Sequence, residues 1–287
     1  MHGVGTTGRD GKYNAFRTQL ANQRAKSEGA QEEIAIEFNW ALSAGESFYN
    51  PAATASARFG DPGKSSENLS TPGMSTQHWF AAKKLAITIL SLRKVLDKEN
   101  PGEPINIVSH SQGTDISIAA LMILKEQGYT KKDIGVGSLA LMASPLDTED
   151  AVTSGHQTHK YIANAAGMIG GKMVWYSSQS DLVLGLKKGS IGLNGIGTKP
   201  FEGDIVKNSY PRNVGHLDYW DAKWISENKE DFGYLFSKKG ADNPALSNTT
   251  RNNVKELNKW AMDWTGSMHQ DKDTRTFIYQ GFKVPPK

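Results

Sequence analysis

The stretch INIVSHSQGTDISIAALMILKE, residues 105–126, joins a short apolar run to a longer one through a serine. Residues 105–108 are typical of a buried strand, and the apolar residues after Gly113 recur at helical spacing. Ser109 and Gly113 lie two positions before and two after Ser111. A strand that turns sharply into a helix at a serine needs small residues there, because larger side chains would not fit. The stretch therefore predicts a strand–Ser111–helix turn that exposes the serine hydroxyl at a strand end.

Strands and helices alternate on both sides of this turn. The patterns predict helices at residues 14–28, 76–99, 113–126, 156–168 and 251–264, and strands at residues 33–40, 105–108, 134–143 and 173–177. Strands that alternate with helices pair in parallel, through right-handed crossovers. We therefore expect an α/β fold, with a mostly parallel sheet flanked by helices.

The domain organisation follows from the same patterns. A catalytic domain is expected over residues 1–225, and residues 226–287 are expected to form a mainly helical extension with a late strand at residues 276–282. Residues 41–75 are rich in Ala, Ser, Gly and Pro and show neither a helical nor a strand period. Loops of that length are usually functional or mobile. A lid or interfacial surface and an irregular surface loop both remain open for this segment.

The composition excludes several classes of protein. The net charge is only +3 and the basic residues are scattered, so no nucleic-acid partner is expected. No apolar run approaches the ~20 residues that span a bilayer. There is no cysteine, which excludes disulfides and thiolate metal sites, and no H-E-x-x-H motif occurs. We expect no metal and no cofactor, and we interpret the acidic residues 147–150 as a solvated turn.

Ser111 is the predicted nucleophile, although a helix N-cap serine would fit the same turn. In this arrangement the catalytic residues follow the order serine, acid, histidine. Asp181 follows the strand predicted at residues 173–177 and is the favoured acid, with Asp147, one strand earlier, as the alternative. His216 lies downstream, beside a glycine, and is the predicted base. His110 is expected to pack instead, because adjacent side chains at a strand end point to opposite faces.

Backbone N–H groups are expected to hold the oxyanion. Gln112 follows the nucleophile and opens the helix, so its N–H is one predicted donor. The N–H of Val4, in the glycine-rich opening His2-Gly3-Val4-Gly5, is the other. That opening also fits G-x-G-x-x-G, but no strand precedes it, so nucleotide binding is not expected. Such a loop normally follows a central strand, so we expect either that the chain is truncated just before it or that a partner segment completes the sheet.

With these residues in view, the chain resembles the lipases of the α/β-hydrolase superfamily. The segments Ser-Asp-Leu-Val at residues 180–183 and His-Leu-Asp-Tyr-Trp at residues 216–220 are similar to the acid and base segments of fungal class 3 lipases. The strand–Ser111–helix turn, called the elbow below, has the sequence Ser-His-Ser-Gln-Gly-Thr. This sequence and the opening His-Gly-Val-Gly look more like the corresponding segments of phospholipase effectors of bacterial type VI secretion, particularly their third lipase family. The likeness covers about residues 2–220.

The resemblance implies a serine esterase that hydrolyses membrane phospholipid after injection into a competitor cell. It further implies peripheral membrane contact, a secretion apparatus and an immunity protein as partners. The opening residues lack the basic and apolar regions of a signal peptide, so synthesis in the bacterial cytoplasm and delivery to a target-cell periplasm are expected. Two alternatives stay open: an inactive binding module on the same scaffold, and a thioesterase, peptidase or short-ester hydrolase of the superfamily.

Overall fold

A computed structural model describes the central part of the chain and portions of its C-terminal third. The described residues are 38, 76–98, 101–144, 157–178, 180–181, 201–209, 214–215, 218–220, 247–262, 268–270, 277–279 and 283–287. Expectations for the N-terminal segment fall outside them, apart from the buried Phe38. The same holds for the strand predicted at residues 33–40, apart from Phe38, and for the loop at residues 41–75.

The central sheet contains four strands, all of them parallel. They are β1 (Ile105–His110), β2 (Val136–Met142), β3 (Met173–Tyr176) and β4 (Lys207–Ser209), in the spatial order β1-β2-β3-β4. Nearly every residue of β2 and every residue of β3 is buried, which is typical of parallel strands covered on both faces. The predicted α/β fold with a mostly parallel sheet is confirmed.

Five helices accompany the sheet in the described part of the chain. They are α1 (Thr76–Leu96), α2 (Gln112–Glu126), the short α3 (Lys131–Ile134), α4 (Gln157–Ala166) and α5 (Asn248–Met262). Helices α2 and α4 connect β1 to β2 and β2 to β3 in the same direction across the sheet. Right-handed crossovers in one direction place both helices on one face, and α2 and α4 are in contact. None of the described helices has the length and apolarity needed to cross a membrane.

Small residues bring α1 close to α2 beside the sheet. Ala82 and Ala86 of α1 and Ala119 and Ala120 of α2 are completely buried. The lack of longer side chains at these positions lets the two helices approach at short range. Helices α1 and α2 are therefore packed together, and α2 in turn contacts β1.

A buried lysine links α5 to α1. The Lys84 side chain has no exposed surface, and its ammonium group donates to the Ala261 carbonyl at 3.2 Å. The same nitrogen lies 5.1 Å from the centre of the Trp260 ring, within the range of a cation–π contact. The helix predicted at residues 251–264 is thus confirmed as α5, and it is docked on the α/β unit.

Two differences from the sequence prediction lie in the central sheet. The strand predicted at residues 134–143 begins at Val136, because Ile134 ends α3 and Gly135 follows with a left-handed φ of 61°. A Cβ at Gly135 would lie 2.6 Å from Arg93 Nη1 and 2.9 Å from Arg93 Cδ, so a larger residue would also have to displace the Arg93 side chain. The second difference is β4, a strand with two exposed positions that carries no apolar alternation.

The C-terminal region holds a short antiparallel pair as well as α5. Strand β5 (Met268–Gln270) pairs with β6 (Phe277–Tyr279), and β6 lies within the late strand predicted at residues 276–282. The pattern of aromatic and β-branched residues was therefore a sound indicator at this position.

Asp133 supports a pH-dependent contribution to stability. Its carboxylate pairs with Lys287 Nζ at 2.7 Å and accepts hydrogen bonds from the Thr130 hydroxyl and N–H, which together lower its pKa from 3.8 to about 2. A carboxyl group whose pKa is lower in the folded than in the unfolded protein stabilises the fold at pH values above its unfolded pKa. This stabilisation is lost as the pH falls through the folded-state pKa. We expect Asp133→Asn to lower the Tm at pH 7, by an amount that shrinks between pH 4 and pH 2.

Thermal unfolding followed by circular dichroism at pH 7, 4 and 2.5 measures this effect. Glu256→Gln is the matched control, because its exposed pair with Lys259 should contribute little at any pH. A Tm difference for Asp133→Asn that stays constant over the whole range would contradict the linkage.

Candidate active site

Ser111 forms the turn between β1 and α2 by itself. Strand β1 ends at His110, α2 begins at Gln112, and Ser111 has φ 50° and ψ −129°. A positive φ at a residue other than glycine costs on the order of 1–3 kcal/mol, and it persists only where the surroundings enforce it. The Ser111 N–H donates to the Met142 carbonyl at 2.9 Å, so the pairing of β1 with β2 continues into the turn.

The helix-cap alternative for Ser111 finds no support in the geometry. Ser111 occupies the N-cap position of α2, but its side chain makes no capping hydrogen bond. An ordinary N-cap serine has an extended backbone and uses its hydroxyl to accept an N–H of the first turn. The Ser111 hydroxyl is therefore not committed to the helix, and 5% of the residue remains exposed at the end of the strand.

Ser109 occupies the place where the commoner elbow motif has glycine. It is completely buried, and its hydroxyl donates to the Ala140 carbonyl of β2 at 2.9 Å. A buried hydroxyl needs such a partner to offset its loss of water. The extra oxygen is thus accommodated without a change in the turn, which explains how serine can replace glycine here.

We expect Ser109→Gly to retain activity, with a loss of stability on the order of 1–2 kcal/mol from the lost hydrogen bond and the freer backbone. Ser109→Leu should overpack the site and reduce stability by about 1–3 kcal/mol or more, with a displaced nucleophile and at least about tenfold lower activity. Urea unfolding and ester hydrolysis by the two variants measure both effects. Equal activity of the glycine and leucine variants would show that the position is not restricted in size.

Asp181 lies on a short turn directly after β3. Its side chain has no exposed surface, its N–H donates to the Ser178 carbonyl at 3.3 Å, and Ser180 N–H donates to Ser178 Oγ at 3.2 Å. Ser111 follows β1 and Asp181 follows β3, so both lie at the carboxyl edge of the sheet. Strands two places apart are separated by about 10 Å. The side chains of Ser111 and Asp181, with one imidazole ring between them, can span this distance. The alternative acid, Asp147, lies outside the described residues.

His216 itself is outside the described part of the chain, but residues on both sides of it are described. The Gly215 N–H donates to Asp218 Oδ2 at 2.7 Å, and the Asp218 N–H donates to the Gly215 carbonyl at 3.1 Å. A Cβ at Gly215 would lie 3.0 Å from that carboxylate oxygen, so glycine permits the close approach. Tyr219 is fully buried, and its ring lies 6.3 Å from that of His110, the neighbour of Ser111.

The side chains of His110 and His159 are engaged in packing. His110 is 1% exposed against the tilted Tyr219 ring, as expected for a packing residue. His159 stacks on the Phe201 ring at 4.2 Å, and its Nε2 lies 2.8 Å from the Glu202 carbonyl. His159 also precedes Asp181 in the chain, which does not fit the expected order of the catalytic residues.

The structure describes one of the two predicted oxyanion donors. Gln112 is the first residue of α2, where backbone N–H groups have no partner within the helix and can bind a negative charge. Val4, the other predicted donor, lies outside the described residues. Within the described residues, no three His, Asp or Glu side chains are grouped closely enough to hold a metal ion.

Two residues that the sequence did not single out contact the nucleophile turn. The Thr114 hydroxyl donates to the Ser111 carbonyl at 2.6 Å and lies 2.8 Å from Ser144 Oγ. Both residues are completely buried. The only sequence signal was a threonine three positions after the serine, a spacing that allows contact within one turn of the helix.

The described residues form an α/β protein with a parallel sheet and a strained strand–serine–helix turn at its carboxyl edge. Residues 50–168 match the sequence model of a family described as the T6SS Tle3 phospholipase effector domain. The predicted resemblance to type VI secretion lipase effectors is confirmed over those residues. A comparison with curated proteins finds no match. The family match supports a phospholipase effector of type VI secretion, and therefore a hydrolase of lipid esters.

The match covers less than half of the chain, and its position matters for the site. It includes Ser111 and Gln112, together with the alternative acid Asp147. It ends before Asp181 and His216. The turn at Ser111 therefore lies within the matched residues, whereas the favoured acid and the predicted base lie beyond them.

Proposed function

We propose that this protein is a serine phospholipase in which Ser111 is the nucleophile, His216 the general base and Asp181 the residue that orients the base. The backbone of Ser111 carries this proposal. A φ of 50° between a parallel strand and a helix, with the hydroxyl free of any capping bond, is the geometry that presents a serine oxygen to a substrate.

The proposed reaction proceeds through an acyl-enzyme. Ser111 Oγ attacks the ester carbonyl while His216 accepts its proton, and the tetrahedral oxyanion is held by the N–H groups of Gln112 and Val4. Collapse expels the lysolipid alcohol, which takes the proton from His216. Water then attacks the acyl-enzyme with the same base, releasing the fatty acid and restoring Ser111. Each oxyanion donor contributes about 3 kcal/mol to the stabilisation of the transition state.

The arrangement around the elbow supports this assignment of the base and the acid. Tyr219 packs beside His110, so the chain just after His216 reaches the strand end that carries Ser111. The fully buried Asp181 lies two strands away at the same edge. A buried carboxylate that accepts a hydrogen bond from an imidazole would hold that ring in the tautomer that accepts the serine proton.

The proposal extends to delivery and partners. The family match gives a type VI secretion context. We further propose that the protein is injected into the target-cell periplasm, contacts the membrane peripherally and is neutralised by an immunity protein. Vesicles of phosphatidylethanolamine and phosphatidylglycerol imitate the substrate in that compartment.

The test compares two substrates with the same protein. Fatty-acid release from such vesicles is expected to exceed, per enzyme, the cleavage of a short soluble p-nitrophenyl ester, and Ser111→Ala should abolish both activities. Cleavage of the short ester alone would contradict the phospholipase proposal in favour of another hydrolase of the superfamily. Absence of both activities would favour a binding module on the same scaffold.

A further inference from the structure

We propose that Thr114 is a positioning residue for the nucleophile, and that with the end of β2 it clamps the strained turn at Ser111. This inference rests on the proposed role of Ser111. The position of the Ser111 oxygen depends on the backbone torsions φ and ψ of that residue, and the clamp restrains both.

The N-terminal side of Ser111 is fixed by the sheet. Its N–H donates to the Met142 carbonyl at 2.9 Å, in continuation of the ladder between β1 and β2. This bond sets the peptide plane before the Cα atom and therefore restricts φ. It acts on only one of the two torsions, so the peptide plane after Ser111 needs a separate restraint.

Thr114 supplies that restraint. The Ser111 carbonyl accepts the Thr114 N–H at 2.9 Å and the Thr114 hydroxyl at 2.6 Å, which occupies both of its lone pairs. A carbonyl held from two directions cannot rotate about the Cα–C bond, so ψ stays at −129°. The position of Cβ, and with it the range open to Oγ, follows from the two fixed peptide planes.

Ser144 holds the threonine hydroxyl in turn. Its Oγ lies 2.8 Å from Thr114 Oγ1 and can donate to it, which leaves the single threonine proton for the Ser111 carbonyl. Asp115 Oδ1 is a second acceptor at 3.1 Å, but the contact to the carbonyl is the shorter one. Chains of hydrogen bonds in a buried setting strengthen one another.

The hydrogen bonds that restrain both sides of Ser111 involve residues at the end of β2. Met142 accepts from Ser111, Ser144 reaches Thr114, and Ala143 between them has a φ of 48°. This second positive φ bends the chain where the strand ends, and the Ala143 N–H remains bonded to the Tyr176 carbonyl at 3.3 Å. Residues 142–144 thus anchor the turn from the neighbouring strand.

Thr114→Val tests the clamp, because it removes the hydroxyl and keeps the shape. We expect kcat and the second-order rate of fluorophosphonate labelling at Ser111 to fall about 10- to 100-fold with KM unchanged, since small misplacements of reacting atoms have effects of that size. Thr114→Ser keeps the hydroxyl and should remain within about threefold of the wild type.

Thr88→Val is the matched control. Thr88 is also buried and donates its hydroxyl to a backbone carbonyl, that of Lys84, at 2.8 Å within α1. It should lower the Tm as Thr114→Val does while leaving kcat and the labelling rate of the folded protein unchanged. A merely structural threonine would make the two variants behave alike.

The outcomes separate the clamp from the proposed function. Labelling of the wild type at Ser111, with an unchanged rate in Thr114→Val, would overturn the clamp and leave the nucleophile intact. A wild type that resists labelling would overturn both. Should Thr114→Val fail to fold, Ser144→Ala decides, because it leaves Thr114 in place; we expect labelling about 3- to 10-fold slower, and an unchanged rate would contradict the clamp.

Discussion

Ser111→Ala is expected to reduce phospholipid hydrolysis by about 10⁶-fold in kcat, to the level supported by binding and oxyanion stabilisation alone. The reason is that every covalent step of the proposed reaction passes through Ser111 Oγ. The loss should appear in kcat rather than in KM, since the hydroxyl contributes little to binding of the ground state. Fatty-acid release from phospholipid vesicles measures it.

The variant should also be folded and slightly more stable. Ser111 holds its hydroxyl without a capping bond at φ 50°, so its removal takes nothing from the helix. An unchanged or raised Tm with activity lost separates a chemical effect from unfolding. Retention of more than about a hundredth of the wild-type kcat would be incompatible with acyl transfer to Ser111.

Asp181→Asn is expected to lower kcat by about 10⁴-fold, because an amide in place of the carboxylate favours the wrong tautomer of the base and cannot stabilise its charged form. Asp181 is completely buried after β3, and asparagine has nearly the same volume, so the fold should persist. Initial rates on phospholipid vesicles at pH 7 to 9 measure the effect.

Asp147→Asn is the matched control for that experiment. It makes the same chemical change one strand earlier and should leave kcat within about threefold of the wild type if Asp181 is the acid. The reverse result, with Asp147→Asn inactive and Asp181→Asn active, would assign the acid to the earlier strand. Rates that fall equally in both variants would contradict a single orienting carboxylate.

The turn at Ser111 was predictable because its requirements are local. A buried strand, small residues on both sides of the serine and an apolar helix all lie within residues 105–126, and the strand and helix formed almost at the predicted bounds. The parallel pairing of the strands followed from their alternation with helices, whereas the sequence did not predict their order in the sheet. Patterns of this kind carry their information within a few neighbouring residues.

Other features depend on contacts between distant parts of the chain and could not be read in this way. The bond between Thr114 and Ser144 joins residues 30 positions apart, and neither residue is unusual in its own segment. Strand β4 has an exposed, polar sequence and exists because β3 offers it a free edge. The start of β2 was displaced by the capping box of α3, which took Ile134 into the helix.

Labelling of the intact protein with a fluorophosphonate, followed by mass spectrometry of the modified peptide, tests the nucleophile most directly. We predict one modification, on Ser111 in the peptide that contains residues 109–114, with no labelling of Ser111→Ala. A wild-type protein that stays unmodified under conditions where a known serine esterase reacts, or a label on another serine, would contradict it.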